Sequence, residues 1–240
     1  MTADAVEQLK KAAGEAAATL VRPHMKIGLG TGSTIYFTIE AIGRMYKEGA
    51  LDGIITVATS ERTAAQARGL GLPVADLSDV LTLDITIDGA DEVDPSMHLV
   101  KGLGGALLRE KIVASSSAQM IVVVDGGKLV TRIGTRAPIP VETDPFGWKA
   151  TQEKLARLGC EPRLRKTADG AEVRTDGGHL VLDCHFANGV EDPVALERSI
   201  NLIPGALDCG LFIGMARRVI VGSSDGVLEM EMGGGLKPFA

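Results

Sequence analysis

MKIGLGTGSTIYFT, residues 25–38, passes from a short apolar run through glycines 28, 30 and 32 into a stretch of helical spacing that continues to about residue 45. A strand at 25–29, a glycine-rich loop and a helix in that order open an α/β fold. The loop GLGTGST, 28–34, departs from two known phosphate cradles. Ser33 stands where GxGxxG needs its third glycine, and no lysine precedes Ser33 or Thr34 as a P-loop requires. The shared physics remains: a tight loop exposes its amides, the next helix offers its positive end, and the hydroxyls of Thr31, Ser33 and Thr34 are donors for phosphate oxygens. The plain alternative is an ordinary strand-to-helix turn.

The same alternation extends on both sides. Upstream, Val6, Leu9, Ala13, Ala17 and Leu20 recur at helical spacing, which predicts a helix over 4–21 that Pro23 ends. Downstream, strands are expected at 54–58, 83–87 and 120–124, with helices at 62–68 and 106–115. The expected result is a mostly parallel sheet, whose ligands bind in loops at the carboxyl ends of the strands. After Pro138 and Pro140 the rhythm changes to strand 139–142, helix 148–158, strands 161–166 and 179–186, helix 193–203 and strand 207–213. That βαββαβ order predicts a smaller ferredoxin-like α+β domain over 137–210, with 1–136 and 211–240 forming the main domain. A last strand at 218–222 and a hairpin-like SSDG at 223–226 return to the main domain, and GGGLKPFA at 233–240 reads as a loose tail.

Composition excludes several classes of protein. The formal charge of −6 comes from 31 acidic and 25 basic residues mixed along the chain, without the basic block of a nucleic-acid binder. No apolar run approaches the roughly 20 residues that span a bilayer, and the acidic, alanine-rich start lacks the order of a signal peptide. Cys160, Cys184 and Cys209 form no CxxC pair, and His24, His98, His179 and His185 form no HxH or HxxxH pair. A cytoplasmic protein without metal or other cofactor, and without nucleic-acid or membrane partners, is expected. The alternation around His185 marks a half-buried strand and a structural histidine.

Three further motifs carry chemistry. IDGADEVD at 87–94 sets Asp88, Asp91, Glu92 and Asp94 just after a strand. Its spacing is not that of a calcium-binding EF-hand loop, so a solvated turn competes with proton exchange by Asp88 and Asp91 at substrate hydroxyls. KGLGGALLREK at 101–111 leads from Lys101 through a second glycine-rich turn into a helix. Glu110 lies about 9 Å along that axis from Gly104 at ~1.5 Å per residue, and helical side chains lean toward the amino end. Glu110 can therefore address the same cleft as Lys101, or simply belong to a charged helix face between Arg109 and Lys111. DGGK at 125–128 ends a strand with Lys128 in reach of a phosphate or of solvent.

Taken in this order, GLGTGST, DGADEVD, KGLGGALLREK and DGGK resemble the A-type ribose-5-phosphate isomerases, and the likeness runs from LKKAAG at 9–14 through GLF at 210–212. The resemblance implies a Rossmann-like main domain with a smaller α+β domain inserted before the last strands, in homodimers or homotetramers, acting on a pentose phosphate. It implies phosphate and sugar contacts at Lys10, Thr31, Gly32, Ser33, Thr34, Asp88, Gly89, Ala90, Asp91, Lys101, Gly102, Leu103, Gly104 and Lys128. Glu110 then matches the family's proton acceptor, assisted by Lys101, Asp88 and Asp91 as catalytic groups. Leu103 replaces a glycine found in many relatives, and the segment 40–55 is longer than theirs, which predicts a peripheral loop.

Two other readings compete. A nicotinamide oxidoreductase would need the missing third glycine and an acidic ribose ligand at the end of the second strand, where Glu61 is the nearest candidate. A sugar-phosphate-sensing regulatory domain would share the fold, but the chain shows no helix-turn-helix extension.

Overall fold

A computed structural model describes residues 2–240. The first half of the chain alternates α1 (Ala3–Ala18), β1 (Lys26–Leu29), α2 (Ser33–Lys47), β2 (Ile55–Ala58), α3 (Glu61–Gly69), α4 (Leu77–Val80) and β3 (Ile85–Asp88). Two short strands follow, β4 (Glu92–Val93) and β5 (Leu99–Val100), then α5 (Leu107–Ser115) and β6 (Met120–Asp125). The next segment holds β7 (Ile139–Thr143), α6 (Trp148–Ala156), β8 (Glu161–Leu164), β9 (Leu180–His185), α7 (Pro193–Asn201) and β10 (Ala206–Cys209). The chain ends with β11 (Leu211–Phe212), β12 (Ala216–Ser223), β13 (Gly226–Met230) and β14 (Leu236–Pro238).

The chain divides into two units, one made of the residues up to Ala90, Arg109–Leu129 and those from Gly214 on, the other of Asp91–Leu108 and Val130–Ile213. In the first, a seven-stranded sheet runs β14-β13-β12-β6-β3-β1-β2. Its five strands from β12 to β2 are parallel, and β13 and β14 add antiparallel edges. Every residue of β3 and β6 is buried, the mark of a parallel sheet covered on both faces. Ile27, Leu29, Ile85, Ile87, Ile121 and Val123 pack with Ala13 and Ala17 of α1 and Ile35, Ile39 and Ile42 of α2. Small residues on α1 bring it close enough to seal that layer. A smaller cluster of Val57, Leu83 and Val113 is joined by Leu77 and Val80.

In the second unit, an antiparallel sheet ordered β10-β7-β9-β8, with α6 and α7, gives the expected ferredoxin-like βαββαβ arrangement. A separate three-stranded sheet runs β11-β5-β4. This sheet moves the boundary away from the expected 137–210. Residues 91–108 join the small unit because β5 pairs β11 and because the Glu92 carboxylate holds the amides of Gly134, Arg136 and Ala137.

Two local expectations are corrected. Residues 233–240 are not a loose tail: β14 pairs with β13, and Phe239 packs on the main core under the Arg218 guanidinium, 5.3 Å from its ring centre. Residues 40–55 are not a peripheral loop either. Helix α2 runs to Lys47, and Leu51 and Ile54 are buried in the core. Among the described residues, no helix is long and apolar enough to cross a membrane.

Candidate active site

In the first unit the glycine-rich loop sits where sequence placed it, between β1 and α2. Gly30 cannot be anything larger: a Cβ there would lie 2.0 Å from Asp88 Oδ1. That closeness lets Asp88, fully buried at the end of β3, accept from the amides of Thr31 at 3.1 Å and Gly89 at 2.7 Å. Gly32 is the N-cap of α2 and makes no side-chain cap bond, so the first-turn amides of this helix have no capping side chain. From α1, Lys10 Nζ donates to Ser33 Oγ at 3.0 Å, bringing a cation to the positive end of the helix. Lys10, Gly32, Ser33, Tyr36 and Arg62 line one cavity of about 780 Å³. Ser33 is exposed and Thr34 buried in the first turn.

Thr31 differs from the expectation that its hydroxyl faces a ligand. Its side chain is buried and contacts three other hydroxyls, those of Thr59 at 2.8 Å, Ser60 at 2.7 Å and Thr63 at 3.0 Å. The sequence reading missed these three. The available signal was Ser60, three residues before Thr63, a helix-cap spacing that opens α3 just after β2, the strand next to β1.

The same unit holds two more predicted residues. Glu110 lies in the first turn of α5 and is only 3 % exposed, which is unusual for a glutamate and rules out a solvated helix face. Lys128 closes a 3-10 turn, Gly126–Lys128, that Asp125 caps through the Gly127 amide, and is partly exposed. Glu61, the candidate ribose ligand of a dinucleotide enzyme, is instead ion-paired with Arg109 at 2.9 Å.

In the second unit the acidic motif separates into distinct jobs. Glu92 is buried and takes its three amides at 2.5 to 2.7 Å. Asp94 accepts from the amides of Ser96 and His98 and pairs with His98 Nδ1 at 3.0 Å. These two carboxylates organise backbone. Asp91 accepts from the Leu103 amide at 3.0 Å and so holds the lysine-glycine loop. Lys101 is 2 % exposed, its amide donating to Gly210 O at 2.8 Å and its Nζ 5.4 Å from the centre of the Phe212 ring.

Leu103 does not strain that loop. Positive φ falls on Gly102, at 101°, and on Gly105, while Leu103 keeps an ordinary backbone with its side chain exposed. Arg165 Nη1 donates to the carbonyls of Gly102 at 2.9 Å and Leu103 at 3.1 Å, and the same guanidinium is gripped by Asp183. Nothing in the sequence announced this clamp, because Arg165 lies more than sixty residues from the loop it holds. Among the described residues, no group of three or more His, Cys, Asp or Glu is placed to hold a metal ion.

The family model described as ribose 5-phosphate isomerase A (phosphoriboisomerase A) matches residues 55–226. The ribose-5-phosphate isomerase A of a Synechococcus is 47 % identical over 223 residues, 92 % of this chain and 96 % of that protein. That of Parvibaculum lavamentivorans is 48 % identical over 228 residues, 92 % of this chain and 97 % of the relative. Among solved structures, a D-ribose-5-phosphate isomerase in complex with phospho-erythronic acid superposes with a TM-score of 0.91 at 38 % identity, over 94 % of this chain and 99 % of the other. The ribose 5-phosphate isomerase from Plasmodium falciparum gives 0.90 at 36 % identity, over 94 % and 98 %.

Proposed function

Because the chain belongs to the ribose 5-phosphate isomerase A family, and is thus an aldose-ketose isomerase interconverting D-ribose 5-phosphate and D-ribulose 5-phosphate, we propose that Glu110 is its carbon base. Glu110 takes the C2 proton of the open-chain aldose, the electron pair moves to make the C1–C2 double bond, and the carbonyl oxygen becomes the enediolate oxygen. Lys101 stabilises that charge, since a carboxylate alone is too weak for such a carbon acid. The same carboxyl then returns the proton to C1. Asp88 and Asp91 move protons among the substrate oxygens and assist ring opening. Lys10, Ser33, Thr34, Lys128 and the amide end of α2 hold the phosphate, while residues 89, 90 and 102–104 shape the sugar contacts.

The observation that carries this reading is the burial of Lys101 and Glu110, at 2 % and 3 % exposure. Burying ionisable side chains is costly, and they are kept where chemistry uses them. Phospho-erythronic acid, found with the solved relative, fits the same chemistry: an acid phosphate carries charge at the end opposite its phosphate, as an enediolate does. We place the protein in the cytoplasm, in keeping with its three free cysteines, and take a homodimer or homotetramer as its assembly. Light scattering measures the assembly.

Glu110→Gln keeps size and hydrogen bonding but removes the basic oxygen. Turnover is expected to fall by about 10² to 10⁴, with KM changing little and exchange of C2 deuterium into water lost. Near-normal exchange in this variant would move the base to Asp88 or Asp91.

A further inference from the structure

Four buried hydroxyls beneath the glycine-rich loop form a chain whose direction can be worked out. Thr63 Oγ1 contacts Gly30 O at 2.9 Å, and a carbonyl only accepts, so the single hydroxyl proton of Thr63 goes there. In the 3.1 Å contact between Ser60 Oγ and Thr63 Oγ1, Ser60 is then the donor, and Thr63 also receives Thr31 Oγ1 as a neighbour at 3.0 Å. Thr31 donates to Ser60 at 2.7 Å, and Thr59 donates to Thr31 at 2.8 Å. The run is Thr59 to Thr31 to Ser60 to Thr63 to the Gly30 carbonyl. Each link polarises the next, which strengthens the chain as a whole. The Thr31 amide is also committed, to Asp88 Oδ1 at 3.1 Å.

We infer that Ser60 and Thr63 are positioning residues of the phosphate loop and that the Thr31 hydroxyl makes no bond to the phosphate. The inference rests on the loop being the phosphate cradle, as proposed above. Both donors of Thr31 point inward, so a dianion, which accepts only, finds nothing there. What the chain supplies is placement. Gly30 O is held by Thr63 and Thr31 N by Asp88, so residues 30 and 31 are pinned from two sides, by the first turn of α3 and by the end of β3. Gly32, Ser33 and Thr34 follow from a fixed point, and their amides meet the phosphate without reorganisation.

The test uses inorganic phosphate as competitive inhibitor alongside ribose 5-phosphate as substrate. Thr63→Val keeps the branched shape and removes the hydroxyl. It is expected to raise both KM and the phosphate inhibition constant about 5-fold or more, with kcat within about 2-fold, while Thr63→Ser stays close to the parent. Loss of packing alone would lower melting temperature without this split and without rescue by serine. In the double variant Thr31→Val with Thr63→Val, the two effects should be markedly less than additive, because both break one chain. Full additivity would put Thr31 on the phosphate and overturn the inference, as would unchanged phosphate inhibition in Thr63→Val. Should Thr63→Val fail to fold, Thr63→Ala removes the same hydroxyl without a second γ-methyl and is read the same way. Ser33→Ala serves as the control: if it also leaves phosphate inhibition unchanged, the cradle itself is misplaced, and otherwise only the positioning claim fails.

Discussion

Asp88 Oδ1 reaches back to the amide of Thr31 at 3.1 Å, so the last residue of β3 holds the loop that follows β1. The parallel pairing of these strands makes the contact possible, and the absence of a side chain at Gly30 gives it room. Holding the loop and the proton transfer proposed for Asp88 are separable roles. Asp88→Asn keeps an acceptor for the amide but gives up the ionisable oxygen, so kcat is expected to fall about 100-fold with KM within about 3-fold. Asp88→Ala loses both, and its KM should rise as well. Steady-state kinetics of the two variants side by side separate the roles.

Lys128 is expected to act on binding alone. Lys128→Ala should raise KM about 10-fold and leave kcat nearly unchanged, since a charge on the phosphate is felt equally before and during reaction. A large loss of kcat at constant KM would place it at the reacting end.

Glu92 sits in the same acidic motif and should behave in the opposite way. Its carboxylate serves three buried backbone amides, so Glu92→Ala leaves all three unmet and is expected to cost about 3 kcal/mol or more in urea unfolding. Turnover per folded molecule should change far less than in the Asp88 variants.

Stability should depend on pH through β12 and β13. Arg218 forms a two-point bond with Glu229, 2.7 Å and 2.8 Å, and this hydrogen bond holds the Glu229 carboxyl below its ordinary range. A lowered carboxyl stabilises the fold above the unfolded value of about 4.3 and stops doing so as pH falls through the folded value. Glu229→Gln is therefore expected to be less stable than the parent by about 1 kcal/mol at pH 7, a difference that shrinks toward zero below about pH 4. Chemical unfolding at both pH values checks it.

A prediction for cysteine chemistry follows from burial. The Cys184 thiol is pushed far up by its hydrogen bond with Cys160 and by burial, whereas Cys160 is lowered as the acceptor of that bond. Iodoacetamide at pH 8 should label Cys160 in the native protein and spare Cys184. Peptide mapping reads the result directly.

The sequence carried most of the main sheet because its parallel strands are short apolar runs, several of them closed by a glycine or an acidic residue, as in Ile27 to Gly30 and Ile85 to Gly89. It also carried the βαββαβ order of the small unit. What it lacked were features with no period. Strands β4, β5 and β11 are two residues long, too short to show alternation, and they shift the unit boundary. Glycines at 233–235 imitate a flexible tail, although the three residues that follow pair with a strand. Among the candidate residues, motifs exposed those at or just after strand ends, such as Asp88 and Lys101. They could not expose Thr63 or Arg165, which act through atoms distant in sequence.

The short strand β14 also decides what the sheet offers to its surroundings. Without it, β13 would present a row of open amides and carbonyls, a template on which another chain could add. With it, the outermost strand is three residues long and contains Pro238, which has no amide hydrogen to offer. Removing residues 233–240 should therefore leave the isomerase chemistry in place while making the protein more prone to aggregate on refolding. Fusions at this end are best made with a spacer that leaves Leu236–Pro238 seated against β13.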